Sequence, residues 1–305
     1  MAERKHTLRV GGMRIAVGNS DKRLYPADGI SKGRVVDYYH RIAAWALPHA
    51  RDRFLTLHRF PDGIGAQGFV QQQRSDHFPP RVAGVSAPLA RGGRLEHMVI
   101  RDAAGLVCLA EQATLTFHGW LSRQDRPDRP DRLVIDLDPP GNDFALVREA
   151  ARALRAEFEA LELTPFVMTT GSRGLHVVVP LDRKATFEDA RRFALALTRR
   201  LVSRERDWLT VEQRKDRRRG RLYLDLMRNA YGQTAVLPYS LRAKAGAPVA
   251  TPLRWEEVSR AGLEARSYHL GNIFRRLARI DDPWKALPRC AGNLARAQRA
   301  LDAAG

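Results

Sequence analysis

Asp136 and Asp138 stand two residues apart in Leu133-Val-Ile-Asp-Leu-Asp138, and Asp225 sits in a second apolar stretch, Leu222-Tyr-Leu-Asp-Leu226. Residues i and i+2 of a strand share a face, with Cα atoms about 6.5 Å apart. Three carboxylates brought together on a half-buried face repel one another and call for cations. All-oxygen donors suit Mg²⁺ or Mn²⁺, and two such ions about 3.5 to 4 Å apart clamp an in-line phosphoryl or nucleotidyl transfer. Taken alone, Asp-x-Asp before Pro139-Pro-Gly141 reads as a strand running into a turn. The third aspartate, on an adjacent strand, favours the metal reading.

Between these carboxylates lies Thr169-Thr-Gly-Ser-Arg-Gly-Leu-His176, with three hydroxyls, an arginine and a histidine around two glycines. Such a turn can present backbone N–H groups and a guanidinium to phosphates. The plainer readings are a Gly-rich hairpin and, for His176, a satisfied core histidine. In Tyr239-Ser-Leu-Arg-Ala-Lys244 two cations two residues apart would meet one polyanion from an extended segment, or form a solvated charged face.

The elements that must position these groups form a regular series. Strands are predicted over 133–138, 166–170, 175–180 and 222–226. Residues 171–174 turn the chain between the second and third. A helix capped by Asn142 places Leu146, Ala150, Leu154 and Leu161 on one face, and a second helix over 187–202 points Phe187, Ala190, Phe193, Ala194, Leu197 and Leu201 inward. The order β-α-β-β-α-β is the split βαβ, ferredoxin-like or RRM-like unit, with sheet order 4-1-3-2. That order sets 133–138 between 175–180 and 222–226, so Asp225 joins the aspartate pair from one side and His176 from the other. Upstream, a helix over 31–50 capped by Ser31 and strands over 54–59, 106–110 and 114–117 suggest an α/β part. Arg126-Pro-Asp-Arg-Pro-Asp131 then reads as a breaker-rich linker.

The chain has 305 residues, 52 basic against 34 acidic, for a net charge of +18, which favours an anionic polymer as partner. With 44% hydrophobic and 28% charged residues it is no disordered tail. No apolar run approaches the roughly 18 residues of a membrane span, and no signal-peptide core opens the sequence. Cys108 and Cys290 make neither a Cys-x-x-Cys motif nor a disulfide framework, which points to a reducing compartment and away from structural zinc. Only seven of the 52 basic residues are Lys, so a retained Lys is the better functional pointer.

Several motifs in one order carry a family resemblance: Asp21-Lys-Arg-Leu-Tyr-Pro26, Thr56-Leu-His-Arg-Phe-Pro-Asp-Gly63, Phe117-His-Gly-Trp120, Val134-Ile-Asp-Leu-Asp-Pro-Pro140, Thr170-Gly-Ser-Arg-Gly-Leu-His176, Leu224-Asp-Leu-Met-Arg-Asn229 and Ala247-Pro-Val-Ala-Thr-Pro-Leu-Arg-Trp255. From about Asn19 to Leu287 the chain resembles the polymerase domain of bacterial ligase D, of the archaeo-eukaryotic primase superfamily. The resemblance implies an α+β primase-type catalytic core: a single primase-polymerase domain over 1–305. Within it, 1–125 would be an N-terminal α/β part holding a pocket for a DNA 5′-phosphate, and 132–290 the RRM-like catalytic part. It implies a nucleotidyl transferase that extends a DNA 3′-hydroxyl at breaks or short gaps and favours ribonucleotides. Two divalent cations, Mn²⁺ or Mg²⁺, would be held by Asp136, Asp138 and Asp225. His118, Thr170, Ser172, Arg173, His176, Arg228, Arg242 and Lys244 would surround the triphosphate. Asn19, Lys22 and Lys32 would hold the 5′-phosphate, and Phe69 would stack on a template base unless it is core.

The chain departs from the family's habit in having Thr170 for Ser, Arg173 for Lys, and Phe69-Val-Gln-Gln72 where two aromatics and a Lys are usual. No Lys is followed by x-Asp-Gly, the adenylation motif of DNA ligases. The implied partners are therefore gapped or broken DNA, nucleoside triphosphates, a separate DNA ligase and the Ku end-binding protein, in a bacterial cytoplasm at the nucleoid. Non-homologous end joining is the leading pathway, with gap filling in base-excision repair as runner-up. A non-catalytic DNA-end binding module and a metal-dependent phosphoesterase are the readings from other classes.

Overall fold

Along Arg132–Asp138, Leu133, Ile135 and Leu137 alternate with Val134, Asp136 and Asp138, so one face of this strand must be covered by apolar partners. The computed structural model describes residues 6–141 and 143–304. They divide into two compact units: the chain up to Trp120 with Val236–Ala250 and His269–Phe274, and Leu121–Ala235 with Thr251–Tyr268 and the residues from Arg275 onward.

The second unit is built on a six-stranded sheet in the spatial order Leu209–Thr210, Leu222–Asp225, Arg132–Asp138, Leu175–Pro180, Phe166–Thr169, Thr251–Leu253. Its inner four strands are those of the β-α-β-β-α-β series in the expected order 4-1-3-2. The helices Phe144–Ala160 and Phe187–Arg204 supply Val147, Ala150, Leu154 and Phe158, and Phe193, Leu197 and Leu201, to one core with Leu133, Ile135 and Leu137. Asn142 lies outside the described residues. The first helix is capped by Asp143, which accepts from Ala145 N at 2.9 Å. Thr186 and Asp189 form a reciprocal capping box on the second, of a kind worth about 1 kcal/mol.

Two expectations are corrected. Residues 106–110 are not a strand but lie in the helix Ala103–Glu111, whose cap Asp102 accepts from Gly105 N at 2.9 Å. Leu106, Val107, Leu109 and Ala110 are all buried, and a short run buried all round has no period to distinguish helix from strand. The supposed linker is a strand, Arg126–Pro130, paired with Ser122–Arg123 in a two-stranded hairpin where its prolines need no ladder on the outer side.

In the first unit, Leu55–Arg59 pairs with Thr114–Trp120, with Arg94–Ile100 and with the short Phe69–Gln71, and Val82–Pro88 extends the sheet beyond Arg94–Ile100. The helix Lys32–Ala50, capped by Ser31 as expected, buries Val35, Tyr38, Tyr39 and Ile42. Its tyrosines hold the returning segment 236–250: Tyr38 donates to Tyr239 O at 2.7 Å, and Tyr39 accepts from Leu241 N at 2.9 Å. Among the described residues no helix is long and apolar enough to cross a membrane.

The last strand of the second sheet is fastened by a buried ion pair. Arg276 donates to Glu257 at 2.7 and 3.2 Å and to Pro252 O at 2.9 Å, and Tyr268 donates to Glu257 at 2.9 Å. Burial pushes the Glu257 carboxyl up, but Arg276 and the Arg254 N–H outweigh it and hold the carboxyl below its ordinary value. Glu257→Gln or Arg276→Leu is expected to cost about 3 to 5 kcal/mol in denaturant unfolding, because each leaves a buried partner uncompensated. A carboxyl lowered on folding stabilises above its unfolded pKa and loses that contribution as pH falls through the folded value. The difference between the parent and Glu257→Gln should therefore shrink below about pH 4.

Candidate active site

The strand register brings the carboxylates together. Asp136 lies directly across from Asp225 on one side and from His176 on the other, and Asp138 lies across from Tyr223. Because Ile135, Leu137 and Leu224 fill the core, these groups occupy the opposite face. His176 Nε2 is 3.4 Å and Arg228 Nη2 is 3.7 Å from Asp136. Arg173 donates to Asp138 at 3.2 Å, and Asp225 accepts from Met227 N at 2.8 Å and from the Tyr223 hydroxyl at 3.3 Å.

Arg228 owes its place to its neighbour. The strand Leu222–Asp225 stops opposite Asp136, and the main chain of Val134 is met instead by the buried Asn229 side chain. Asn229 Oδ1 accepts from Val134 N at 2.8 Å and its Nδ2 donates to Val134 O at 2.6 Å. One amide thus completes the ladder where the backbone turns away.

The Gly171–Gly174 turn is closed by Thr170, whose hydroxyl donates to Gly174 O at 3.0 Å and accepts from Ser172 N and Gly174 N at 3.3 Å. Thr170 is buried, so its hydroxyl is engaged inside the turn, while half-buried Ser172 and exposed Arg173 stand outward.

Burial and the charge of Asp136 push the Asp138 carboxyl above its ordinary value, against the opposing pull of Arg173. Burial, then Asp225, pushes the Tyr223 phenol up to about 12. Among the described residues no group of three or more His, Cys, Asp or Glu side chains closes into a metal-holding set; each aspartate lies against a protein partner. The donor chemistry nevertheless fits hard divalent cations, being carboxylate oxygen from three aspartates on one face.

The remaining expected site residues belong to the first unit. His118 lies across from Thr56 in the sheet. Arg242 is fixed through its main chain, its carbonyl accepting from the Tyr25 hydroxyl at 2.9 Å, and Lys244 N donates to Arg242 O at 2.8 Å. Asn19, Lys22 and Lys32 are joined through the main chain: Lys22 N donates to Asn19 O at 3.0 Å and Lys32 N to Lys22 O at 2.8 Å. Lys22 pairs with Asp62 and Lys32 with Glu111, each at 2.7 Å. Phe69 is 45% exposed, so it is not core, and Arg59 lies 5.1 Å from its ring centre.

Residues 31–284 match the family model described as LigD, primase-polymerase domain. The chain belongs to this family. It is a nucleotidyltransferase of the primase-polymerase type. It is 33% identical over 302 residues to the multifunctional non-homologous end joining DNA repair protein LigD of Mycobacterium tuberculosis, covering 95% of this chain and 39% of that protein. To the bifunctional non-homologous end joining protein LigD of Bacillus subtilis it is 30% identical over 240 residues, 78% of this chain and 38% of the other. The chain thus spans about two fifths of the length of these relatives. The solved polymerase domain of Mycobacterium tuberculosis ligase D in complex with DNA superposes with a TM-score of 0.84 at 31% identity, over 92% of this chain and 99% of that one.

In this primase-polymerase domain, sequence reasoning missed three supports. Asn229 was visible only as part of a motif. Tyr223 is half of an alternating strand pattern with nothing to mark its hydroxyl. Arg218, which lies 3.9 Å over the Tyr223 ring and draws the Asp138 carboxyl down, is one arginine in a run of them.

Gly174 admits no side chain, since a Cβ there would stand 1.8 Å from Leu137 O. Gly174→Ala is expected to push the turn off the aspartate strand, costing about 1 to 3 kcal/mol or more in thermal unfolding. It should also lower nucleotide addition by moving Arg173 from Asp138. Gly141→Ala, with nothing within 4 Å of its Cβ, is the control that should change neither.

Proposed function

We propose that this domain adds nucleotides, directed by a template and with a preference for ribonucleotides, to a DNA 3′-hydroxyl at a break or short gap bearing a 5′-phosphate, in non-homologous end joining. The observation that carries the reading is the cross-strand register of Asp136 and Asp225, with Asp138 two residues on and the Thr170–Gly174 turn beside them. Family membership and the likeness to a polymerase domain solved with DNA support it.

Asp136, Asp138 and Asp225 are the residues that would hold divalent cations, which when bound supply Lewis-acid stabilisation of the phosphoryl oxygens. The chain's own groups do the rest. Arg173 and the Ser172 hydroxyl bind and orient the triphosphate, so that the 3′-oxygen meets the α-phosphorus in line with the departing pyrophosphate. His176 and Arg228 fix the Asp136 carboxylate between them. His118, Arg242 and Lys244 serve the nucleotide, Asn19, Lys22 and Lys32 take the DNA 5′-phosphate, and Phe69 offers a stacking face to the template. Partners are broken or gapped DNA, the Ku end-binding protein and a DNA ligase that seals the product, in the bacterial cytoplasm.

Asp136→Asn or Asp138→Asn is expected to abolish nucleotide addition in primer extension on gapped DNA while leaving DNA affinity nearly intact, because a basic surface and not the carboxylates attracts DNA. Activity within tenfold of the parent for either variant would refute the assignment. In the parent, matched ribo- and deoxynucleotides should be used in that order of preference. Extension by neither would leave only a DNA-end binding module.

Lys22→Ala, with Lys32 left to neutralise Glu111, is expected to reduce the preference for a 5′-phosphate over a 5′-hydroxyl in a binding titration and to leave the hydroxyl form unaffected. A uniform loss on both would mean general backbone attraction.

A further inference from the structure

We propose that Arg266 is a further phosphate-binding arginine of this domain, which holds the phosphate tail of the incoming nucleoside triphosphate beside Ser172. The inference rests on reading the Thr170–Gly174 turn as the triphosphate site.

Arg266 is an exposed residue on a well-held loop. Leu263 and Ala265 are buried in the core of the second unit. The main chain closes on itself, with Ser267 N donating to Glu264 O at 3.1 Å and Glu264 N to the Ser267 hydroxyl at 2.8 Å. The next residue, Tyr268, is tied to Glu257. From this base the Arg266 side chain reaches the turn, and its Nε donates to Ser172 O at 3.0 Å.

The choice of atom matters. A guanidinium bound through Nε to a neutral carbonyl keeps its whole charge and leaves the paired Nη groups as a fork, the geometry that fits two phosphate oxygens. Among the described residues this bond is its one polar contact, and no carboxylate pairs with it. Three other arginines of the same unit are met by carboxylates, Arg155 by Glu159, Arg214 by Asp216 and Arg173 by Asp138. No acidic residue lies between Thr169 and His176. The turn therefore carries an uncompensated, pre-oriented cation next to Ser172. Arg173 can then stay near Asp138 at the reacting end, while Arg266 meets the more remote phosphates.

The test uses the full chain and the variants Arg266→Ala and Arg266→Lys, with two readouts: equilibrium titration of inorganic tripolyphosphate, and single-nucleotide insertion on gapped DNA. Loss of a charge-assisted fork should weaken tripolyphosphate binding and raise the KM for the nucleotide by about tenfold in Arg266→Ala. The kcat should stay within about twofold, and the melting temperature and DNA affinity should not change. Arg266→Lys, which keeps the charge without the Nε anchor, should recover part of the loss. Unchanged tripolyphosphate affinity would overturn the proposal, and so would a fall in kcat and melting temperature at constant affinity, which would make Arg266 a strap for the turn. If the parent binds tripolyphosphate through Arg266 yet inserts no nucleotide, the gap-filling reading fails and the anion site stands.

Discussion

Like charge directly across a strand boundary is the constraint on which the second unit depends. Asp136 and Asp225 occupy one cross-strand pair, an arrangement that destabilises a sheet when nothing relieves it. The opposite face answers first: Leu133, Ile135, Leu137, Leu222 and Leu224 are buried under two amphipathic helices, so the register cannot slip by one residue without turning three carboxylates into the core. The near surroundings answer next, with His176 and Arg228 on Asp136, Arg173 on Asp138, and Met227 N on Asp225. Even so, the Asp138 carboxyl stays above its ordinary value. Burial is the first cause of that rise, so the fold holds three carboxylates on one face at the cost of desolvating them, each against a cationic or N–H partner.

The first unit solves a different problem, that of fixing basic residues far along the chain. Segment 236–250 returns to pair with elements laid down two hundred residues earlier, and buried tyrosines hold it. Tyr25, Tyr38 and Tyr39 are wholly buried, which raises their phenols further above the physiological range, where they stay protonated as donors. Tyr25 donates to the Arg242 carbonyl and Tyr38 to that of Tyr239, while Tyr39 donates to Leu115 O and accepts from Leu241 N. Apolar burial and main-chain anchoring come from the same rings. Tyr239 is thereby kept at φ 65°, a conformation rare for a residue with a side chain.

What could be read from sequence followed from periodicity. Four strands, two long helices and the order 4-1-3-2 came from residues that repeat every two or every 3.6 positions, and topology then placed Asp225 and His176 beside Asp136. Where period was missing, reading failed: 106–110 is buried on every side and 126–131 repeats Arg-Pro-Asp, whose two prolines read as breakers. The site was legible in its charged groups and illegible in their supports. Nothing in a sequence with 45 arginines marks Arg218 or Arg266, and nothing in Leu-Asp-Leu-Met-Arg-Asn tells that the last residue closes the ladder on Val134. Thr170 shows the converse, a residue whose hydroxyl type invited a ligand role and whose burial gives it to the turn.

The two lysines near Asn19 show why charge alone does not define a binding pocket. Lys22 and Lys32 make ion pairs of the same length, yet the first pair is open to solvent, with the Asp62 side chain 74% exposed, and the second is enclosed, at 13% and 15%. An exposed pair is worth roughly 0 to 1 kcal/mol and exchanges readily, whereas an enclosed one resists separation because either partner would be left buried and alone. A terminal phosphate arriving at the first turn of the helix would therefore take Lys22 from Asp62 and leave Lys32 on Glu111. Lys32 would then act as a fixed charge near the helix N-terminus, where the macrodipole already favours an anion. In the proposed pocket Lys22 would therefore be the group that distinguishes phosphate from hydroxyl, and Lys32 with Glu111 the frame beside it.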